Sequence, residues 1–185
     1  MAQYRYPFDE YNVGYFFVTV CVKDRRHLLG NISGETMHLS PLGERTVDCI
    51  EYAKSHYDGV DIPVFTVMPN HFHMILCIDK CYDEPNNQNL GALRPKMHPE
   101  MDGETVFHHN SRFSIVLRSI KGAVTRYANA HGMHLEWQQR GNDRVIRNQR
   151  ELNHISDYIE NNVIRWATDR FNNTAPTITD PFDVE

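Results

Sequence analysis

The chain has 185 residues, of which 41% are hydrophobic and 11% aromatic, enough to bury the core of a single domain spanning residues 1–185. Its longest apolar stretches are only strand-sized and its first residues lack the apolar segment of a signal peptide, so we expect a cytoplasmic protein with no membrane partner. The four cysteines follow neither a secreted disulfide pattern nor a zinc-site spacing, and reduced thiols are expected.

The net charge of −5 is unevenly distributed along the chain. Residues 111–150 contain eight basic and two acidic side chains, so this segment carries +6 and the remainder carries −11. Such a segment is typical of a surface that binds a phosphate backbone, although a solvated helix face would give the same pattern.

Strand and helix patterns alternate along the chain. Aromatic and β-branched side chains favour strands, whereas apolar residues spaced three and four apart favour helices. In chain order the patterns predict a strand at residues 15–22, a helix at 42–57, paired strands at 61–68 and 71–79, a helix at 111–130, short strands at 135–137 and 144–146, and a helix at 151–171. Residues 30–34 are rich in turn formers, Ser40 is the predicted N-cap of the first helix, and Pro69-Asn70 is the predicted hairpin turn.

This order is that of the ferredoxin-like split βαβ fold with one added helix. We therefore predict an α+β protein whose antiparallel sheet is covered by helices on one face, which leaves the other face for a site. Residues 81–110 show neither the alternation of a strand nor the three-and-four spacing of a helix, and are predicted to form a long surface loop. Residues 172–185 are predicted to form an extended tail. Three histidines of the loop are expected to be solvated: His98, His108 and His109.

His71-Phe72-His73, within the predicted strand 71–79, is the most informative motif. Because successive side chains of a strand point to opposite faces, both imidazoles project from one face and Phe72 from the other. Two imidazoles side by side can bind a metal ion, although two half-exposed strand histidines would give the same pattern.

The last predicted helix carries Tyr158 and Asn162 beside an apolar stripe. Residues four apart lie on one helix face, so a helix packed over the open face of the sheet could direct a phenol and an amide oxygen at the same ion. A half-buried packing tyrosine is the alternative interpretation of Tyr158.

Five motifs in this order resemble the single-tyrosine HUH transposases, and among them the REP-associated tyrosine transposases. The matching segments are residues 16–19 (Phe-Phe-Val-Thr), 67–73 (Val-Met-Pro-Asn-His-Phe-His), 119–121 (Ser-Ile-Lys), 137–138 (Trp-Gln) with 143–147 (Asp-Arg-Val-Ile-Arg), and 158–162 (Tyr-Ile-Glu-Asn-Asn). The resemblance implies an enzyme that cleaves single-stranded DNA at hairpin-forming elements and rejoins it through a 5′-phosphotyrosine intermediate.

The resemblance also implies the roles of the site residues. Tyr158 would be the nucleophile, and His71, His73 and Asn162 would hold Mg²⁺ or Mn²⁺. The expected partner is single-stranded DNA with a hairpin, and both a monomer and a homodimer stay open. Five basic residues are candidates for holding phosphates: Arg112, Arg118, Lys121, Arg144 and Arg147.

Two other classes of protein fit part of the pattern. A replication initiator or a relaxase-type nickase shares the histidine pair and the tyrosine, but such proteins usually add domains and use histidine as the third ligand. A noncatalytic ferredoxin-like module that binds nucleic acid would need only the basic helix. A covalent protein–DNA adduct separates both enzymes from the noncatalytic module.

Overall fold

The computed structural model describes residues 14–79, 111–139, 142–169 and 171–172. The predicted loop at 81–110, with its three histidines, and all but the first residue of the predicted tail at 172–185 lie outside the described residues. That one domain spans residues 1–185 stays a prediction.

The described residues form seven strands and three α-helices. The strands are β1 Gly14–Cys21, β2 Gly30–Ser33, β3 Thr36–Leu39, β4 Val60–Asp61, β5 Phe65–Met68, β6 His71–Ile78 and β7 Asn142–Ile146. The helices are α1 Pro41–His56, α2 Arg112–Ala130 and α3 Gln149–Glu160, with short 3₁₀ helices at Lys23–Arg25 and Trp166–Thr168. None of these helices is long and apolar enough to cross a membrane.

The main sheet is antiparallel, with β1 and β6 at its centre. The strand order is β4-β6-β1-β7, and β5 pairs with β6 on the same side as β4. β4 and β5 therefore act as one interrupted edge strand, and the spatial order of the four strand positions is that of the ferredoxin-like fold. This confirms the predicted α+β class.

The two faces of this sheet bury different cores. Phe16 and Phe72 point to the face covered by α1 and α2, where Phe16 meets Phe113 of α2 with ring centroids 5.3 Å apart. Phe17 and Ile75 point to the other face, where they pack against α3. Since side chains alternate along a strand, His71 and His73 lie on the face of α3.

Two predicted boundaries are confirmed by local structure. Ser40 caps α1, because its hydroxyl accepts a hydrogen bond from the backbone N–H of Gly43 at 3.2 Å. Pro69 and Asn70 form the two-residue turn of the β5–β6 hairpin, in which Met68 pairs with His71.

Three predicted regions need correction. Residues 30–34, predicted as turn, belong to the β2–β3 hairpin, whose own two-stranded sheet pairs Gly30 with Leu39. The predicted strand at 61–68 is interrupted at Pro63, which has no N–H to donate to a ladder. Residues 135–137 contribute a single bridge, between Trp137 and Val22, rather than a strand.

The predicted helix at 151–171 is also shorter than expected. α3 ends at Glu160 with Asn161 as its C-cap, and the chain continues through turns into the second 3₁₀ helix. Two consecutive asparagines are poor helix formers, and the amide of Asn162 is bonded to Asp169 instead of facing solvent. Asn162 therefore follows α3 rather than lying on it.

Candidate active site

The two imidazoles of the His-x-His motif face each other beneath α3. Both rings are fully buried, and the Nε2 atoms of His71 and His73 lie 3.0 Å apart. The alternation of β6 brings them to one face, as predicted, and excludes the interpretation of two half-exposed strand histidines.

Buried neighbours fix the orientation of both rings. Nδ1 of His71 lies 2.8 Å from Oδ1 of Asn70, and Nδ1 of His73 lies 2.8 Å from the hydroxyl of Thr19. An amide oxygen only accepts, so Nδ1 of His71 carries a proton, and in the neutral imidazole Nε2 then presents a lone pair. The hydroxyl of Thr19 can accept from His73 in the same way. Hydrogen bonds of this kind hold ligating imidazoles in metal sites.

Asn70 connects the histidine pair to two other segments. Its amide nitrogen donates to the carbonyl of Arg25 at 3.2 Å and to that of Phe171 at 2.8 Å. The turn before β6 therefore joins the segment after β1 to the segment after α3. Asn70 is fully buried, and its bonds to His71 and Phe171 are shielded from water.

Asp169 joins the site although the sequence analysis did not select it. Its carboxylate is buried and forms, with His71 and His73, a group of three potential ligands whose atoms lie within 4.8 Å of one another. It accepts hydrogen bonds from the amide of Asn162 at 2.9 Å and from the hydroxyl of Tyr158 at 3.3 Å. The structure thus brings Asn162 to the site through Asp169.

The residues fit a divalent cation. Two nitrogens that each lie about 2.1 Å from one ion, at a right angle, are about 3.0 Å apart, which is the observed separation of the two Nε2 atoms. Oδ1 of Asn162 is buried with no hydrogen-bond partner among the described residues, and an amide oxygen is a good ligand for a hard cation. The buried His71–His73–Asp169 group could therefore bind a metal ion.

Tyr158 lies next to this group. Its hydroxyl is 3.4 Å from Nε2 of His73, and its ring meets the imidazole edge to face with centroids 5.3 Å apart. Ile155 and Ile159 of α3 are fully buried against Phe17 and Ile75, which fixes the helix over the sheet. The ring of Tyr158 is half-buried and borders the same cluster.

Aromatic rings and one arginine surround the histidine pair. Phe17 stacks on His73 at 5.3 Å, and Phe171 lies 4.6 Å from the ring of His71. The guanidinium of Arg25 lies 4.2 Å from the ring centroid of Phe171, a cation–π contact. Arg25 is therefore a basic residue of the site that the sequence analysis missed.

The predicted phosphate-binding residues are divided between two regions. Arg112, Arg118 and Lys121 belong to α2, which covers the opposite face of the sheet from the histidines. Burial lowers the pKa of the Lys121 amine. The indole N–H of Trp137 donates to the carbonyl of Lys121 at 3.2 Å, and the partly buried ring of Trp137 packs against the core.

Arg144 and Arg147 lie near the start of α3. Arg144 is opposite Phe17 in the sheet and forms an ion pair with Glu151 at 2.6 Å. The backbone N–H of Arg147 donates to the same carboxylate at 2.9 Å. Arg144 thus shares the face of the histidine pair, and the backbone of Arg147 is held near the start of α3.

Asp169 and Arg25 carry only weak signals in the sequence. Asp169 is an acidic residue soon after the tyrosine motif, but an acidic side chain near a predicted helix end is ordinarily solvated. Arg25 follows a strand in an Asp-Arg-Arg run that is typical of a turn. Asp24 and Arg25 both adopt left-handed backbone conformations, with φ of 56° and 54°. Positive φ is uncommon for residues other than glycine, so the residue types did not predict this turn.

Comparison with known proteins identifies the fold. No protein-family model matches the chain. An uncharacterized protein of Haemophilus influenzae strain Rd is 28% identical over 158 residues, which are 85% of this chain and 84% of that protein. A candidate transposase from Deinococcus radiodurans R1 aligns with a TM-score of 0.41 at 16% identity, over 87% of this chain and 97% of its own.

A REP-associated tyrosine transposase, solved bound to a REP hairpin, matches with a TM-score of 0.57 at 23% identity, over 90% of this chain and 74% of its own. The resemblance predicted from the sequence motifs is thereby confirmed at the level of the fold: the chain is built on the α+β architecture of a tyrosine transposase.

Proposed function

We propose that the protein is a metal-dependent transposase that cleaves single-stranded DNA at hairpin-forming elements and rejoins it through a 5′-phosphotyrosine. One observation carries the proposal: the hydroxyl of Tyr158 lies 3.4 Å from Nε2 of His73, which faces Nε2 of His71 at 3.0 Å. A nucleophile beside a potential cation site is the arrangement that phosphoryl transfer requires. The shared fold and the five sequence motifs support the same assignment.

The chemical step exchanges one phosphate ester for another. The phenolic oxygen of Tyr158 attacks the scissile phosphorus, and the bond from phosphorus to the 3′ oxygen breaks. The phenolic proton is lost to water and the departing oxygen gains a proton, giving a 5′-phosphotyrosine and a free 3′-hydroxyl. Because the ester bond is conserved in the adduct, a second 3′-hydroxyl can reverse the step and complete strand transfer without a high-energy cofactor.

His71, His73 and Asn162 would hold the cation, and we expect Mg²⁺ or Mn²⁺. When bound, the ion neutralises and polarises a nonbridging oxygen of the scissile phosphate. Asn70 and Thr19 keep the imidazoles oriented before the substrate arrives, so no reorientation of the rings is required during the reaction.

The DNA would cross the face of the sheet that carries α3. Arg25 and Arg144 lie on this side and would bind phosphates near the scissile bond. Arg147, which follows β7 near the start of α3, would bind a phosphate farther along the strand. Arg112, Arg118 and Lys121 lie on α2 and would bind DNA away from the reacting phosphate, such as the hairpin stem. A single strand is required because a phosphate within a duplex would have to approach a half-buried phenol.

The test is formation of a covalent adduct. The protein is incubated with Mn²⁺ or Mg²⁺ and end-labelled single strands that contain a hairpin drawn from DNA flanking the gene, and the products are separated on a denaturing gel. We expect a protein-linked label that forms only when the metal is present. EDTA added before the DNA should prevent its formation. Absence of the adduct on all flanking hairpins, with both metals, would contradict the proposal.

A further inference from the structure

The carboxylate of Asp169 is the hub of the hydrogen bonds around the candidate nucleophile. Oδ2 accepts from the amide of Asn162 at 2.9 Å and from the hydroxyl of Tyr158 at 3.3 Å. Oδ1 accepts from the backbone N–H of Phe171 at 2.6 Å. The side chain is buried, so these donors replace the water that a solvated carboxylate would have.

The side-chain amide of Asn162 makes a hydrogen bond through its nitrogen but none through its oxygen among the described residues. Its nitrogen donates to Asp169, whereas Oδ1 is buried with no hydrogen-bond partner in the described part of the chain. An amide has one donating and one accepting end, and a carboxylate can only accept. Asp169 therefore determines which end of the Asn162 amide faces it and which end is turned away.

We propose that Asp169 is a positioning residue that presents Oδ1 of Asn162 to the cation and holds the hydroxyl of Tyr158 beside it. This inference rests on the proposed function, which supplies the cation and the nucleophile. It assigns the oxygen ligand to Asn162 and not to Asp169, although both could reach the ion by residue type. The reason is that both oxygens of Asp169 already accept hydrogen bonds, whereas Oδ1 of Asn162 accepts none from the described residues.

Asp169→Asn tests the orienting role without changing the size of the side chain. Its single acceptor oxygen cannot serve all three donors, so the Asn162 amide is no longer held in one orientation. We expect the dissociation constant for Mn²⁺, measured by calorimetry without DNA, to rise about 10–100-fold, as for other residues that orient ligands. Asp157→Asn is the matched control: it removes the same charge from an exposed position next to Tyr158 and should leave Mn²⁺ binding unchanged.

A swap of the two residues separates positioning from direct ligation. In the double variant Asn162→Asp with Asp169→Asn, the amide at 169 donates to one carboxylate oxygen at 162 and leaves the other oxygen for the ion. We expect this double variant to bind Mn²⁺ at least tenfold more tightly than Asp169→Asn alone. If Asp169 were itself the ligand, the swap would give no recovery, and the double variant would bind Mn²⁺ no more tightly than Asp169→Asn alone. That result would overturn the proposal.

The readouts distinguish this proposal from the proposed function. A protein that binds Mn²⁺ with the swap pattern but forms no DNA adduct supports the role of Asp169 and contradicts the transposase assignment. A lower melting temperature of metal-free Asp169→Asn with unchanged Mn²⁺ affinity would show that Asp169 acts only in folding, and would overturn the inference. Failure of the unmodified protein to bind Mn²⁺ would overturn both.

Discussion

The hydroxyl of Tyr158 and Nε2 of His73 lie 3.4 Å apart although 85 positions separate them in the sequence. They meet because α3 packs over the face of the sheet that carries the odd-numbered residues of β6. This packing depends on a small cluster in which Ile155 and Ile159 are fully buried. The distance between Tyr158 and His73 therefore depends on how α3 packs on the sheet.

Tyr158→Phe removes only the attacking oxygen. We expect the covalent adduct to disappear while the affinities for Mn²⁺ and single-stranded DNA stay close to those of the original protein, because the ring keeps its packing on His73. Adduct formation is measured on denaturing gels, and binding by calorimetry and fluorescence anisotropy. Exposed Tyr52 on α1 supplies the control, since Tyr52→Phe should form the adduct normally. An adduct with Tyr158→Phe would mean that another residue is the nucleophile.

Thr19→Val keeps the shape of the side chain but removes the hydroxyl that lies 2.8 Å from Nδ1 of His73. We expect Mn²⁺ binding to weaken about 10–100-fold, because the imidazole no longer has the hydrogen bond that orients it. Thr19→Ser retains the hydroxyl and should bind Mn²⁺ within a few-fold of the original protein. Equal affinities of the valine and serine variants would show that the hydroxyl does not contribute.

Arg25→Gln tests the arginine that lies over Phe171. If Arg25 binds a phosphate near the scissile bond, its replacement should weaken binding of single strands and reduce the log–log salt slope by about 0.7, the value for one phosphate. The exposed neighbour Arg26 provides the matched control, because Arg26→Gln makes the same change outside the aromatic cluster. Identical salt slopes for the two variants would show that Arg25 does not bind a DNA phosphate.

Replacing Arg118 and Lys121 together tests the basic residues of α2. We expect weaker binding of unrelated single strands and a smaller salt slope, by about 0.7 for each phosphate that these side chains neutralise. Since α2 covers the opposite face from the histidines, the rate of adduct formation at saturating DNA should stay unchanged. A lower rate at saturation would place these residues near the reacting phosphate.

Ile159→Ala tests the attachment of α3 to the sheet. Truncating a fully buried isoleucine should lower the free energy of unfolding by about 2–5 kcal/mol, whereas Ile159→Val should cost only about 0.5–1.5 kcal/mol. Ile164→Ala is the control, because this side chain is 58% exposed and its truncation should change stability by less than about 0.5 kcal/mol. Urea unfolding followed by circular dichroism gives all three values. A decrease for Ile159→Ala no greater than that of the control would contradict the packing.

The sequence alone determined the features that depend on local periodicity. Alternation along β6 placed both histidines on one face, and the order of strand and helix patterns predicted the ferredoxin-like arrangement. The N-cap Ser40 and the Pro69-Asn70 turn followed from local conformational preferences. These features involve neighbours within a few residues, so the pattern of side chains was sufficient to predict them.

Only the tertiary structure decided which distant groups meet at the site. The end of α3 at Glu160 and the return of the chain bring Asp169 to Tyr158 and Asn162, and the left-handed turn after β1 brings Arg25 to Phe171. The predicted long helix concealed Asp169, because a regular helix would have carried this carboxylate away from the tyrosine. These contacts depend on which buried polar groups form hydrogen bonds between distant segments, and local periodicity in the sequence does not predict them.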